Sequence, residues 1–206
     1  MTMSDALKRW NARFSAPGYV FGTAPNIFLT TQLHRLKRGQ RALAIADGEG
    51  RNGIWLAQQG LDVTSVDFSP VALAKARKRA AEAGVAVEFV EADLASWAWP
   101  KAAFDVVAGI FFQFAGPELR ARIFRNVKAA LKPGGLVLVE GYGPKQLDYK
   151  TGGPGVLENL YTEALLRDAF ADFEILELRS YDAEIAEGEG HKGMSALVDL
   201  VARKPA

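Results

Sequence analysis

The sequence predicts a doubly wound α/β fold with a seven-stranded, mostly parallel sheet, and three observations point to it. Short apolar runs alternate along the chain with stretches of helical spacing, the pattern of a parallel sheet covered on both faces. Residues 41–69 read as strand, glycine-rich turn, helix, strand and acid, the framework of a nucleoside-binding unit. The chain closes on two extended stretches joined without a helix, unlike the second half of a dinucleotide dehydrogenase.

Residues 4–14 suit a short helix capped by Ser4 or Asp5, with Leu7, Trp10 and Phe14 near one face. Residues 15–25 are an aromatic loop with Pro17, Gly18 and Pro25. Asn26 suits the cap of a helix over 27–36, where Leu29, Leu33 and Leu36 share a face. The first strand takes residues 43–46. Asp47 to Gly53 form the glycine turn, and Ile54, Leu56 and Ala57 lie in the helix behind it. The second strand, 63–66, ends on Asp67. Ser69 followed by Pro70 is a capping hydroxyl with proline at the first helical position. The helix it opens carries Lys75, Arg77, Lys78 and Arg79, read as a solvated face, and stops at Gly84. A third strand over 86–90 leads to Asp93 and Leu94, and a nearly continuous apolar run makes 104–111 the fourth.

Pro117 opens a helix with Leu119, Ile123, Val127 and Leu131 at helical spacing. Residues 132–135 form a tight turn into a fifth strand, 136–140. The glycine- and proline-rich stretch at about 141–157 reads as a mobile loop over the sheet's ligand edge. Thr162 caps a helix holding Leu165, Leu166 and Phe170. Strands over 173–181 and 194–202 follow, joined by an acidic, glycine-rich hairpin connection over 182–193.

A chain of 206 residues suits one domain, with its helical and aromatic N-terminal part, about 1–36, as a lid. A formal net charge of +1 writes no nucleic-acid footprint into the composition. With no cysteine, disulfides, thiolate zinc sites and cysteine nucleophiles are excluded. No signal-peptide core or membrane-length apolar run is visible, so the expected location is cytoplasmic with no membrane partner.

The glycine turn chooses between ligands. Gly48, Gly50 and Gly53 fit the letters of a dinucleotide fingerprint, so a nicotinamide-dependent oxidoreductase is one reading. Asp47 and Glu49, however, place carboxylates where a pyrophosphate would sit, and no lysine follows as a clamp. A ligand with a cationic centre and no phosphate suits the turn better, and S-adenosylmethionine is such a ligand. Asp67, at the end of the second strand, can accept hydrogen bonds from both ribose hydroxyls. Gly48 and Gly50 read as ligand-contacting glycines, and Asp93 reads as either an adenine contact or a helix cap. Tyr19, Phe21 and Trp10 either pack as a lid or enclose a sulfonium, since aromatic faces attract cations.

These stretches resemble the class I S-adenosylmethionine-dependent methyltransferases, and among them the small enzymes related to tellurite-resistance methyltransferases. The likeness runs from Tyr19 to Lys204 and is carried by DGEGRNG at 47–53, VDFSPVALAKAR at 66–77, EADL at 91–94 and LKPGG at 131–135. It implies a sheet ordered 3-2-1-4-5-7-6 with strand 7 antiparallel. It also implies ribose on Asp67, adenine at Asp93 and Leu94, and the methionine side along Ala46, Asp47, Gly48, Glu49 and Gly50. The wider implied cofactor set adds Tyr19, Phe21, Gly22, Asn52, Phe68, Ser69 and Ile110. The sequence departs from the pattern in one place. Ala44 stands where the family's first strand carries an acid, and Ala46 where its first glycine belongs.

The implied reaction is methyl transfer to a small-molecule acceptor such as a thiol, a chalcogen oxyanion or another small nucleophile, leaving S-adenosylhomocysteine. Holding nucleophile and methyl group in line is most of the work. A soft acceptor such as a thiol or a chalcogen oxyanion needs little or no base, whereas an oxygen or ammonium acceptor needs one, and His191 and Tyr142 are the catalytic candidates. His191 with Glu187 and Glu189 lacks metal-ligand spacing, so no metal is expected. Phe111, Phe112 and Phe114 after the fourth strand suggest an apolar pocket wall. The chain is expected as a monomer or homodimer. A non-catalytic cofactor-binding protein on the same fold is the third reading.

Overall fold

Seven strands run through the chain: Arg41–Ile45 (β1), Asp62–Asp67 (β2), Glu88–Glu91 (β3), Phe104–Ile110 (β4), Leu131–Tyr142 (β5), Glu174–Ala186 (β6) and Lys192–Arg203 (β7). In the computed structural model, which describes residues 3–206, they are ordered β3-β2-β1-β4-β5-β7-β6. The helices are Met3–Phe14 (α1), Ile27–Thr31 (α2), Arg51–Gln58 (α3), Pro70–Glu82 (α4), Pro117–Ala130 (α5), Gln146–Tyr149 (α6) and Glu163–Ala169 (α7). The doubly wound sheet and its order agree with the sequence expectation. The described residues divide into two compact units, 3–97 with 187–190 and 98–186 with 191–206.

In the first unit β1, β2 and β3 are parallel, with Ile45 level with Val66 and Asp67 level with Glu91. This register brings the turn after β1 and the acid ending β2 to the same carboxyl edge, where open α/β sheets bind ligands. Leu29, Leu43, Leu56, Val66 and Leu73 fill the core at 2% exposure or less. Ser69 caps α4 by accepting a hydrogen bond from Ala72 N–H at 3.2 Å, ahead of Pro70.

In the second unit β4 and β5 are parallel, and β7 lies antiparallel between β5 and β6. Leu138, Tyr161, Phe170 and Leu200 are fully buried there. Thr162 caps α7 through Leu165 N–H at 3.1 Å.

Several boundaries differ from the sequence expectation, each for a local reason. Helix α1 begins at Met3, so Asp5 falls inside its first turn instead of capping it, and the Ser4 side chain lies outside the described ones. The helix expected over 27–36 tightens after Thr31 into a 3-10 turn, Gln32–Arg35. The turn expected at 132–135 is part of β5, whose register against β4 shifts between Phe104 and Val106. The stretch read as a mobile loop contains α6, where Gln146 fixes the backbone through Ala196 N–H at 2.9 Å. Residues 182–186 pair with 192–196, so the expected long connection shrinks to 187–191.

The departure at Ala46 has a conformational consequence. Its φ is +48°, the left-handed region that the family's glycine would adopt freely. That conformation costs a Cβ-bearing residue roughly 1–2 kcal/mol. Glycine gives back about 0.4–1 kcal/mol through the unfolded chain. Ala46→Gly is therefore expected to stabilise by up to about 1 kcal/mol, raising Tm by roughly 2–4 °C. A lowered Tm in calorimetry would contradict the strain.

Candidate active site

The first unit holds the expected cofactor residues. Asp67 is buried, and its two carboxylate oxygens accept Gly48 N–H at 2.8 Å and Ser69 N–H at 2.9 Å. Burial raises its carboxyl above the ordinary range, and the N–H groups of Ser69, Gly48 and Phe68 pull it back down. An ionised carboxylate offers about four acceptor sites. Acceptor capacity therefore remains on this carboxylate for a ribose hydroxyl. Phe68 is half-buried between Asp67 and the fully buried Ser69, whose hydroxyl donates to Asn11 Oδ1 at 2.6 Å.

The turn residues divide by what they touch. A Cβ on Gly48 would lie 3.3 Å from the Phe14 ring, so Phe14 packs over the turn. A Cβ on Gly50 would lie 2.8 Å from Ala76 Cβ, and one on Gly53 would lie 2.5 Å from Asp47 Oδ2. Gly50 therefore lets α3 pack against α4, and Gly53 lets the helix approach the strand. Asp47 Oδ2 accepts Gly53 N–H at 3.0 Å and Ser65 O–H at 2.9 Å, satisfying the start of α3.

Burial lifts the Asp47 carboxyl to about 6 from an ordinary 3.8, with the nearby Asp67 adding to the rise. Between those two values the folded chain keeps a proton that the unfolded chain has released. Stability from this group therefore falls as pH rises through that window. Asp47→Asn keeps an oxygen for Gly53 and Ser65 and removes the charge. It should stabilise the protein by up to about 3 kcal/mol at pH 7.5, with the gain gone below the unfolded value. Equal effects on Tm at pH 4 and pH 7.5 would refute this.

Glu49 is buried, and its oxygens accept Val20 N–H at 2.8 Å and Lys75 Nζ at 2.9 Å. Lys75 also donates to the carbonyls of Ala16 and Gly18, and Arg79 donates to those of Glu49 and Thr23. Both cations approach the Tyr19 ring, at 5.7 and 5.0 Å. The face read as solvated is thus corrected at Lys75 and Arg79, which hold the aromatic loop down. Phe21 packs with Trp10 and Phe14 and has the Arg13 guanidinium 4.9 Å from its centroid. Gly22 lies against Gly188. Asn52 Oδ1 accepts Asn26 N–H at 3.0 Å. Asp93 Oδ1 accepts Ala95 N–H at 2.9 Å, closing a turn, beside the buried Leu94. Arg51 and Lys75, the cations flanking the turn, are each paired with a carboxylate. That suits a ligand without phosphate, and the glycine turn and Asp67 fit S-adenosylmethionine.

The second unit holds the catalytic candidates, brought together from distant positions. The Tyr142 hydroxyl and His191 Nδ1 are 2.6 Å apart, and both residues are buried. Their rings are nearly parallel, and Phe111 packs on both, 4.7 Å from Tyr142 and 4.3 Å from His191 between centroids. Phe111 has φ +53°, a strained backbone for a bulky residue. Its N–H donates to the Glu140 carbonyl at 2.8 Å. Ile110, buried at 8% exposure, ends β4 just before it. The three phenylalanines part ways: Phe112 is core against Phe124 and Tyr161, and Phe114 is exposed.

Sequence reasoning placed Phe14 on a helix face, Asn26 at a helix cap and Glu187 beside His191, but not the partners they take here, which lie far along the chain. Glu187 is held by Asn26 and Arg51, away from any metal role. Among the described residues no group of three or more His, Asp or Glu side chains could hold a metal ion. No helix among them is long and apolar enough to cross a membrane.

Residues 42–135 match a family described as a methyltransferase domain. The chain is 31% identical over 132 residues to demethylmenaquinone methyltransferase of Thermus thermophilus, covering 63% of this chain and 58% of that protein. It spans about half to three-fifths of the length of the first curated relatives it matches, 58%, 55% and 49% of them. Among solved structures, TehB from Haemophilus influenzae superposes with a TM-score of 0.71 at 21% identity, over 85% of this chain and 61% of that one. A methyltransferase from Methanosarcina mazei gives 0.69 at 23% identity, over 84% and 96%. At these identities the likeness concerns the fold.

Proposed function

We propose that the chain is a class I S-adenosylmethionine-dependent methyltransferase, a reading supported by its match to a methyltransferase-domain family, and that it transfers a methyl group to a small-molecule nucleophile that carries a proton. The observation behind the acceptor class is the buried Tyr142–His191 pair at 2.6 Å. An acceptor already ionised would need no base, whereas a hydroxyl or thiol must lose a proton as it attacks and an ammonium must lose one before it can attack. Bound on the glycine turn and Asp67, S-adenosylmethionine supplies a methyl group on a sulfonium and departs as the neutral thioether.

His191 is the proton acceptor in this reading. With Nδ1 committed to Tyr142, the imidazole keeps a defined orientation, and the pair can pass one proton between oxygen and nitrogen. Phe111 covers both rings and limits their access to water. Asp67 fixes the cofactor's sugar, and the loop held by Lys75, Arg79 and Glu49 closes the first unit's turn. The 206 residues act as one methyltransferase domain in which residues 1–36 form the lid, working in the cytoplasm on a small molecule.

Calorimetric titration with S-adenosylmethionine, S-adenosylhomocysteine and NADH tests the cofactor assignment. Labelled methyl transfer to a panel of phenols, thiols and amines then tests the acceptor. Saturable binding of the first two with turnover on a proton-bearing acceptor is the expected result. Binding of NADH alone would replace this reading by the oxidoreductase one. Cofactor binding with no turnover across the panel would leave a binding protein.

A further inference from the structure

Within the second unit, β5 outruns its parallel neighbour. The β4–β5 ladder ends at Ile110 and Glu140, and the Phe111 N–H adds one more bond, to the Glu140 carbonyl. Phe111 then takes φ +53°, which turns the chain out of the strand. Tyr142 still belongs to β5 but has no β4 residue paired with it. It is buried, and a buried backbone N–H is almost never left without a partner.

Gln113 supplies that partner. Its side chain is buried at 4% exposure, and its Oε1 accepts the Tyr142 N–H. Its Nε2 donates to the Tyr142 carbonyl at 2.9 Å and to the Asn159 carbonyl at 3.0 Å. One amide thus meets both backbone polar groups of Tyr142, as a neighbouring strand would. Its orientation is forced, because the N–H needs an acceptor and the carbonyls need a donor. The approach is close enough to require glycine at 141. A Cβ there would lie 2.6 Å from Gln113 Oε1 and 2.7 Å from the Tyr161 ring.

We infer that Gln113 is a positioning residue for Tyr142, its amide replacing the strand that β5 loses where β4 ends. This rests on the reading of the Tyr142–His191 pair as the group that takes the acceptor's proton. All these residues lie in the second unit. A tyrosine ring has two rotatable bonds, and packing limits both. Phe111 lies on the phenol at 4.7 Å between centroids, and Leu160 and Leu197 pack in the same buried cluster. Gln113 fixes the backbone from which the ring springs. Residues 111–113 therefore hold Tyr142 at both ends, and its hydroxyl meets His191 Nδ1 at 2.6 Å.

A side chain that merely satisfied a strand end would stabilise the fold and leave the phenol where it is. The His191 imidazole reports the difference in the NMR spectrum, because the chain has only two histidines. His34 is exposed, with its Nδ1 2.9 Å from the Thr31 carbonyl, and serves as an internal control. Gln113→Met keeps an unbranched side chain without the amide. It is expected to move the His191 ring signals toward those of Tyr142→Phe, which lacks the phenol hydroxyl, with His34 unchanged. At saturating cofactor kcat should fall by roughly 100-fold, the scale of a 1 Å misplacement. Gln113→Glu keeps an acceptor for the Tyr142 N–H and should fall between wild type and Gln113→Met in both readouts. It carries the test where Gln113→Met fails to fold by circular dichroism. Asn159→Ala removes the 3.3 Å bond from Asn159 Nδ2 to the Gln113 carbonyl but leaves the amide clamp, so its His191 signals should match wild type. Wild-type His191 signals in a folded Gln113→Met or Gln113→Glu protein overturn the proposal, and so does an equal shift in Asn159→Ala. Absent turnover in the wild type would refute the base reading instead, and the spectra would still decide whether Gln113 holds the phenol.

Discussion

His191→Gln is expected to lower kcat by about 10²- to 10⁴-fold, the range of a positioned general base, with the affinity for S-adenosylmethionine little changed. The expectation follows from where the residue sits. His191 is buried in the second unit against Phe111 and Tyr142, whereas Asp67 and the glycine turn lie in the first. Glutamine keeps a polar group for the Tyr142 hydroxyl but cannot take up a proton near neutral pH. Tyr142→Phe removes the other half of the pair, and the double variant should lose little more than the worse single one, because the two act as a unit. Single-turnover rates with saturating cofactor check this most directly. A loss confined to KM would mean that the pair binds the acceptor without moving its proton. Unchanged rates in both variants would remove the base from the mechanism and leave an acceptor that arrives ionised.

Asp67→Asn should raise the dissociation constant for S-adenosylmethionine by about 10- to 100-fold. A hydrogen bond to a charged group is worth about 1.5–3 kcal/mol, and the carboxylate is assigned two ribose hydroxyls. The substitution also turns an amide toward backbone that donates. Gly48 N–H and Ser69 N–H both point at the carboxylate, at 2.8 and 2.9 Å, and an amide offers an oxygen to only one of them. Some thermal stability should therefore be lost with the affinity. Calorimetric titration beside a melting curve separates the two, since an Asp67→Asn protein that melts cooperatively yet binds weakly has lost the ligand contact. Wild-type affinity in that variant would move the ribose elsewhere.

Much of the fold was legible because it is written locally. The strand at 104–111 is a continuous apolar run, and Ser69-Pro70 announces a helix start by two residues alone. Asp67 could be singled out because a strand end followed by a capped helix lies within a few residues of it. The extent of β6 and β7 was less legible. Polar residues such as Asp182 and Glu184 carry the end of β6, whose residues are mostly half-buried or exposed, so no hydrophobic period marks how far it extends.

The site shows the same division between local and long-range information. Glu49 read as a cofactor-side carboxylate of the turn because the partners that hold it are remote. Val20 is 29 residues away from Glu49, and Lys75 is 26. Asn26 and Glu187 are 161 apart. Gly50 read as a ligand glycine, and the structure shows that it also makes room for Ala76 on the next helix. His191 and Tyr142 were separate candidates, 49 residues apart, and the fold makes them a pair.

The sequence by itself determined the α/β class, the strand–glycine turn–helix–strand unit that ends on Asp67 and the absence of cysteine from its 206 residues, since periodicity, capping and composition act over a few residues. The tertiary structure decided which charges are neutralised and which rings face one another. It did so because burial makes an unpaired charge costly, so each buried charge must find a partner wherever the chain brings one.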